Sequence, residues 1–134
     1  MPQMIFVNIP VPNLGKSKAF YTALGFTINP QFSDDTTACV VISDTILAMI
    51  LTHAKFDSFL TNLRADTTKT TSALVALNRD NRAGVDAITE AAFAAGGHEP
   101  KPATDHGFMY TRPFQDPDGN VFAPLWMDPG FVQG

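Results

Sequence analysis

The two halves of the chain follow the same order of predicted elements, and this internal repeat constrains the fold more than any other feature. In each half, an apolar strand-like run is followed by a helix that ends at glycine, at Gly25 and then at Gly96-Gly97. The predicted N-caps of these helices are Asn13 in the first half and Asp80-Asn81 in the second. Three further strand-like runs follow each helix. The glycines that end the two predicted helices lie about seventy residues apart. This spacing indicates two similar modules rather than a solenoid.

The predicted fold class is α+β, with two βαβββ modules that form a curved mixed sheet. The first module and its short connecting helix cover residues 1–63, a polar linker covers 64–71, and the second module covers 72–134. Each module has one helix to cover one sheet face, so the other faces can form a trough for a ligand. The predicted elements before the final hairpin are strands at 4–11, 26–32, 36–43, 46–52, 72–78 and 98–101, and a small helix at 56–63.

The end of the chain is predicted to be a β-hairpin. Asp116-Pro117-Asp118-Gly119 is a reverse turn, because proline presets φ at the second position and glycine accepts φ > 0 further on. Alternation predicts which side chains share a face of each flanking strand. On the first strand these are Tyr110, Arg112 and Phe114, and on the second strand they are Val121, Ala123 and Leu125. The hairpin can therefore wall a pocket.

Composition limits the classes of function. The 134 residues are 45% hydrophobic and 16% charged, which is enough for a core, and the net charge of −4 argues against a nucleic-acid surface. The single cysteine, Cys39, predicts a buried thiol in a reducing compartment. No signal peptide is expected, and no apolar run approaches the roughly 18 residues of a membrane span. We therefore expect a cytoplasmic protein with no membrane and no nucleic-acid partner.

Two motifs invite comparison with a known family. They are Val11-Pro-Asn13-Leu14…Ser17-Lys-Ala-Phe20-Tyr21…Leu24-Gly25-Phe26 and Phe114-x-Asp116-Pro117-Asp118-Gly119. Together they resemble the opening and the closing hairpin of the vicinal oxygen chelate superfamily, which contains glyoxalase I, bleomycin-resistance proteins and extradiol dioxygenases. The similarity extends over nearly the whole chain. It implies the paired βαβββ fold and, because small members of the superfamily usually pair, a homodimer.

The resemblance also implies where a metal would bind. Metal-using members place ligands, usually His and Glu, on the first and last strands of each module. In this sequence those positions are Phe6, Met49, Leu74 and Ala123. None is His, Asp, Glu or Cys, and divalent cations need such donors. The sequence therefore predicts no metal site and no cofactor, with an apolar floor in place of the metal.

Three polar side chains near the hairpin are candidates for catalysis: His106, Tyr110 and Arg112. His106 follows Asp105, whose carboxylate can support an acid or base role for the imidazole, or the two form a solvated turn. Tyr110 and Arg112 either point inward, where the guanidinium can bind a carboxylate or a phosphate, or point outward, where Arg112 pairs with an aspartate of the following turn.

Three functions remain open at this point. The first is a small-molecule binder of the resistance or sequestration kind, which holds a largely apolar or aromatic ligand with a defined set of residues: Phe6, Met49, Leu74 and Ala123, with Asn8, Tyr110 and Arg112 as polar anchors. The second, implied by the resemblance, is a glyoxalase I-type (lactoylglutathione lyase-like) lyase or isomerase with His106 as base and Tyr110 or Arg112 as electrophile. The third is a dimeric interaction module without a ligand.

Overall fold

The computed structural model describes residues 2–131, which form two compact units that divide between Ala65 and Asp66. Each unit contains one mixed sheet, so the predicted α+β class is confirmed. The first unit follows the predicted βαβββ order. The second unit has four strands after its helix instead of three, because the strand before the final turn is interrupted at residues 112–113. None of the helices in residues 2–131 is both long enough and apolar enough to cross a membrane.

The first unit contains β1 (Ile5–Val11), α1 (Leu14–Ala23), β2 (Thr27–Ile28), a 3-10 helix (Pro30–Phe32), β3 (Thr37–Val41), β4 (Ile46–Thr52) and α2 (His53–Asp57). The strand order is β1-β4-β3-β2, with β1 parallel to β4 and the other pairs antiparallel. The side chain of Asn13 caps α1 by accepting a hydrogen bond from the Lys16 backbone N–H at 3.1 Å. Gly25 follows the helix at φ +99°, as the glycine stop predicts.

The core of the first unit forms where α1 and the central strands bury apolar side chains. Ile9 of β1 pairs with Ile50 of β4, and both are at most 5% exposed. Phe20 and Tyr21 of α1 are equally buried and meet edge to face at 5.1 Å between ring centroids. Burial of this kind is the main source of stability in a domain of this size.

The second unit contains β5 (Leu74–Asn78), α3 (Arg82–Ala94), β6 (Thr104–Asp105), β7 (Met109–Thr111), β8 (Phe114–Gln115) and β9 (Val121–Met127). The strand order is β5-β9-β7-β6, and β8 also pairs with β9. β5 runs parallel to β9, as β1 runs parallel to β4. Asn81 caps α3 by accepting a hydrogen bond from the Gly84 backbone N–H at 2.7 Å, which confirms the predicted cap.

The predicted helix over 56–63 is wrong, because the helix begins and ends earlier. The Thr52 hydroxyl accepts a hydrogen bond from the Lys55 backbone N–H at 3.3 Å and so caps α2 one turn ahead of the apolar repeat. The helix ends at Asp57, where the Ser58 hydroxyl donates to the Lys55 carbonyl at 2.6 Å. A side chain that bonds the local backbone in this way competes with helix continuation.

Two predicted strands are also shorter than expected. The strand predicted at 26–32 stops at Ile28, because Pro30 has no N–H for a sheet ladder and instead begins a 3-10 helix. The strand predicted at 98–101 is only an isolated bridge between His98 and Gln115.

Residues 66–70 form a hydrogen-bonded turn that packs on the closing hairpin of the second unit. The Asp66 carboxylate accepts hydrogen bonds from the backbone N–H and the hydroxyl of Thr68. The Thr67 hydroxyl donates to the Asp118 carbonyl at 2.6 Å. The segment predicted as a linker is thus attached to the Asp116–Gly119 turn.

Candidate functional site

A cavity of about 360 Å³ lies within the second unit. The described residues that line it are Thr71, Leu74, Pro100, Lys101, Thr104, Thr111, Pro113, Gln115, Val121 and Ala123. Two of them, Leu74 and Ala123, are predicted ligand-binding residues. The lining combines an apolar floor with hydroxyl and amide groups, which is the usual chemistry of a small-molecule site.

Strand pairing explains why these residues share a face. Leu74 of β5 lies beside Val121 of β9, and Val121 lies opposite Gln115 of β8. Residues that are directly paired across strands point to the same side of a sheet. Leu74 is 63% exposed, so its side chain has apolar surface that a bound molecule would cover.

Tyr110 and Arg112 point to the other side of this sheet and contact α3. The Tyr110 hydroxyl donates to the Asp86 carboxylate at 2.6 Å. The Arg112 guanidinium donates to Glu90 at 2.8 Å and to Asp86 at 3.2 Å, and it lies 5.6 Å from the centre of the Phe93 ring. The hydrogen bond to Asp86, followed by burial, raises the pKa of Tyr110.

The structure therefore separates residues that the sequence analysis placed in one cavity. Alternation was read correctly, since Tyr110 and Arg112 share a face with the fully buried Phe114. That face packs against α3, whereas Thr111 faces the cavity together with Ala123. The pairing of Arg112 with an aspartate of the hairpin turn is not observed either, because Asp86 and Glu90 bind its guanidinium.

His106 lies in the turn between β6 and β7 and is exposed. Its ring stacks on Phe108 with 6.1 Å between centroids. The neighbouring Asp105 carboxylate binds the Arg82 guanidinium and accepts a hydrogen bond from the Gly107 backbone N–H at 2.8 Å. Arg82 holds the pKa of Asp105 below its ordinary value of 3.8. This arrangement matches the solvated turn that was one of the two interpretations of Asp105 and His106.

The Arg82 guanidinium also lies over two aromatic rings, 5.1 Å from the centre of Trp126 and 5.3 Å from that of Tyr110. Such contacts are attractive because the face of an aromatic ring is electronegative. Arg82 and Asp86 of α3 therefore hold the β6–β7 hairpin from the side opposite to the cavity.

In the first unit, Phe6, Asn8 and Met49 share one face of the sheet, because Asn8 pairs with Met49 and Phe6 lies two residues before Asn8. Phe6 is 53% exposed, and its carbonyl accepts a hydrogen bond from the Asn8 amide at 3.2 Å. A second cavity of about 340 Å³ is bordered by Asn8, Phe56, Phe59 and Leu60. The predicted residues of this unit are thus brought together on an apolar surface.

The four positions at which the resemblance implies metal ligands do not fit a divalent cation. Phe6, Leu74 and Ala123 have no side-chain lone pair, and Met49 offers only a soft thioether. Within residues 2–131, no group of three or more His, Cys, Asp or Glu side chains is arranged to hold a metal ion.

The sequence analysis missed part of the cavity wall, namely Thr71, Pro100, Lys101, Thr104, Thr111, Pro113 and Gln115. Alternation along the hairpin identifies three of them, since residues 111, 113 and 115 lie on the face opposite to that of Tyr110 and Arg112. Lys101 and Thr104 lie in a polar stretch without a period, and no local pattern identifies them.

Comparison with known proteins supports the fold. Residues 3–43 match the family model described as bleomycin resistance protein-like N-terminal. None of the curated proteins matches the sequence at a significant level. Many solved structures match it over nearly its whole length.

Three of these structures are representative. A hypothetical protein from S. aureus is 26% identical, with 94% of this chain and 95% of that chain covered and a TM-score of 0.78. A glyoxalase/bleomycin resistance protein/dioxygenase family enzyme from Burkholderia phytofirmans PsJN is 18% identical, with 94% and 99% covered and a TM-score of 0.76. A glyoxalase/bleomycin resistance protein from Albidiferax ferrireducens T118 is 23% identical, with 90% and 95% covered and a TM-score of 0.67.

Proposed function

We propose that this chain, which matches a bleomycin resistance protein-like family model over residues 3–43 and shares its fold with glyoxalase/bleomycin-resistance structures, is a member of the vicinal oxygen chelate superfamily and binds a small, largely apolar or aromatic molecule in the cavity of its second unit. The observation that carries the proposal is the cavity of about 360 Å³ whose lining includes Leu74 and Ala123. These are two of the positions where the resemblance implies metal ligands and the sequence has hydrocarbon side chains instead. The proposal includes a homodimer, as the resemblance implies, and a cytoplasmic location, which the single cysteine, Cys39, favours.

Apolar burial supplies the affinity in this proposal. Covering apolar surface contributes roughly 25 cal/mol per Å², from which the cost of ordering the ligand and the lining side chains is subtracted. Leu74 contributes most when covered, because its side chain is largely exposed without a ligand. The hydroxyls of Thr104 and Thr111 can orient a polar group of the ligand.

The test is ligand binding by protein that has been dialysed against a chelator. A panel of aromatic and aliphatic compounds is screened for an increase in Tm. Ala123→Phe fills the cavity and abolishes the increase. The matched control Ala87→Phe adds the same side chain on the exposed surface of α3 and preserves it. If no compound raises the Tm, or if Ala123→Phe leaves the increase intact, the proposed site is wrong and an interaction module without a ligand becomes the better description.

The alternative, a glyoxalase I-type lyase, receives less support from the site geometry. The side chains that it would use as electrophiles, Tyr110 and Arg112, are engaged by Asp86 and Glu90 of α3. We expect no turnover of methylglyoxal with glutathione, with or without added Ni, Zn, Co or Mn. Turnover that is lost in His106→Asn would establish the lyase instead.

A further inference from the structure

The cavity of the second unit carries a charge pattern that narrows the class of its ligand. Of the ten described lining residues, five are apolar (Leu74, Pro100, Pro113, Val121 and Ala123), four are neutral and polar, and one, Lys101, is charged. No carboxylate is among these lining residues. Lys101 therefore supplies the formal charge among the described lining residues.

The positive charge of Lys101 is not neutralised by an ion pair within residues 2–131. The ion pairs found there involve the arginines Arg64, Arg82 and Arg112. Asp105, a nearby acid in sequence, has both carboxylate oxygens engaged by Arg82 and also accepts a hydrogen bond from Gly107. Lys101 can therefore act as the counter-charge for a bound anion.

Three of the four neutral polar side chains of the lining suit the same kind of ligand. The fourth, Thr111, gives no donor to the cavity, because its hydroxyl donates to the Pro124 carbonyl at 3.0 Å. Thr71, Thr104 and Gln115 each have a donor group, and donors to an anion make stronger hydrogen bonds than donors to a neutral acceptor. The donors and the ammonium favour an anionic group, while the apolar floor favours a hydrocarbon body.

We propose that this cavity selects small apolar molecules that carry one anionic head group, such as a carboxylate or a sulfonate, with Lys101 as the residue that determines charge specificity. The inference rests on the proposed function, since it assumes that the cavity binds a ligand. The cavity of the first unit provides a contrast, because its described border of Asn8, Phe56, Phe59 and Leu60 has no charged side chain.

Two fluorescent probes with the same aromatic rings test the proposal. 8-Anilinonaphthalene-1-sulfonate is an anion, and N-phenyl-1-naphthylamine is its neutral counterpart. Their dissociation constants are measured by titration against the wild-type protein, Lys101→Gln, Lys101→Arg and the control Lys16→Gln, which removes an exposed lysine of α1 in the other unit. Ala123→Phe, with Leu74→Ala as a milder second variant, shows whether a probe occupies the cavity.

Lys101→Gln is expected to weaken binding of the anionic probe by about twofold to fivefold, the range for a solvent-accessible charge pair, and to leave the neutral probe unchanged. Lys101→Arg and Lys16→Gln retain the wild-type ratio of the two constants. Raising the salt concentration to about 0.5 M removes the preference of the wild type, because added ions screen an accessible charge.

Two failures have different meanings. If both probes bind, if the cavity variants weaken both, and if Lys101→Gln leaves their ratio unchanged, charge selection is refuted and the proposed function stands. If neither probe binds the wild type, or if both cavity variants fold and leave both constants unchanged, the proposed function fails and the selectivity fails with it.

Discussion

Replacing Gly119 with alanine is expected to destabilise the second unit more than replacing other glycines that share its backbone conformation. Gly119 has φ +92°, a region in which a Cβ atom costs roughly 1–2 kcal/mol. A Cβ atom added there would also lie 2.1 Å from the Thr67 carbonyl oxygen, which is backbone and cannot rotate away. The segment 66–70 would have to move.

The size of the effect follows from two contributions. Displacing the segment breaks the hydrogen bond from the Thr67 hydroxyl to the Asp118 carbonyl, a net loss of about 0.5–1.5 kcal/mol. Together with the backbone strain, the free energy of unfolding is expected to fall by about 1.5–3.5 kcal/mol, a large share of the roughly 5–15 kcal/mol typical of a domain. With a urea m-value of about 2 kcal/mol/M, the midpoint of unfolding falls by about 0.8–1.8 M.

Gly107→Ala is the matched control. Gly107 has φ +82°, but a Cβ atom added there meets nothing within 4 Å. The control is therefore expected to show the backbone strain alone, about 1–2 kcal/mol. Urea unfolding followed by circular dichroism measures both variants.

A double-mutant cycle separates strain from displacement. Thr67→Val removes the hydroxyl, and its cost is expected to shrink when Gly119→Ala is already present, because the displaced segment has lost that hydrogen bond. Equal costs for the Gly119 and Gly107 variants, or strictly additive costs in the cycle, would refute the packing of residues 66–70 on the turn.

Three other predictions follow from the structure. Tyr110→Phe is expected to lower stability by about 1 kcal/mol. Because the hydrogen bond to Asp86 raises the pKa of Tyr110 above its ordinary value of 10.0, the wild type should keep this contribution below that value and lose it as the pH rises through the raised pKa, whereas the Phe variant should not. Urea unfolding between about pH 9 and pH 12 measures the difference. The Arg82–Asp105 pair should contribute stability above the ordinary carboxyl pKa of 3.8 and lose it as the pH falls through the lowered pKa of Asp105, so the acid transition of Arg82→Gln should lack this component. The homodimer is expected to bury exposed apolar side chains, and Leu63 is the first to test because it is 99% exposed. Leu63→Asp should shift the mass measured by light scattering toward that of the monomer. A monomeric wild type would contradict the homodimer.

The sequence predicted the order of elements well, because its signals were local and physical. Asn13 and Asn81 each cap a helix where expected, and Gly25 and Gly96 follow the helices with positive φ. The Asp116–Gly119 turn joins β8 to β9. Signals of this kind need only the nearest residues, so a single sequence contains them.

The ends of short elements were harder to predict, because they depend on competition between neighbouring signals. The apolar spacing from Phe56 to Leu63 fits a helix, yet the Thr52 cap begins α2 earlier and the helix ends at Asp57. Leu63 is left almost fully exposed. A periodic pattern shows that a helix is possible, and the capping residue decides where it begins.

Which hairpin residues line the cavity depends on which face of the hairpin α3 covers. Alternation groups Tyr110 with Arg112, but it does not show that α3 covers their face of the hairpin. The acids that bind them, Asp86 and Glu90, are four residues apart on α3 and so lie on one side of that helix. A comparison of the charges on the helix with those on the strand would have favoured the observed pairing.

The two faces of the hairpin are nevertheless linked by strand pairing. Thr104 lies opposite Thr111 and lines the cavity, and the next pair, Asp105 opposite Tyr110, is held by α3. Fixing one pair fixes the other, because successive residues of a strand point to opposite sides of a rigid ladder. Tyr110 and Arg112, two of the predicted catalytic residues, therefore attach the cavity wall to α3 from the side opposite to the cavity, through hydrogen bonds to Asp86 and Glu90.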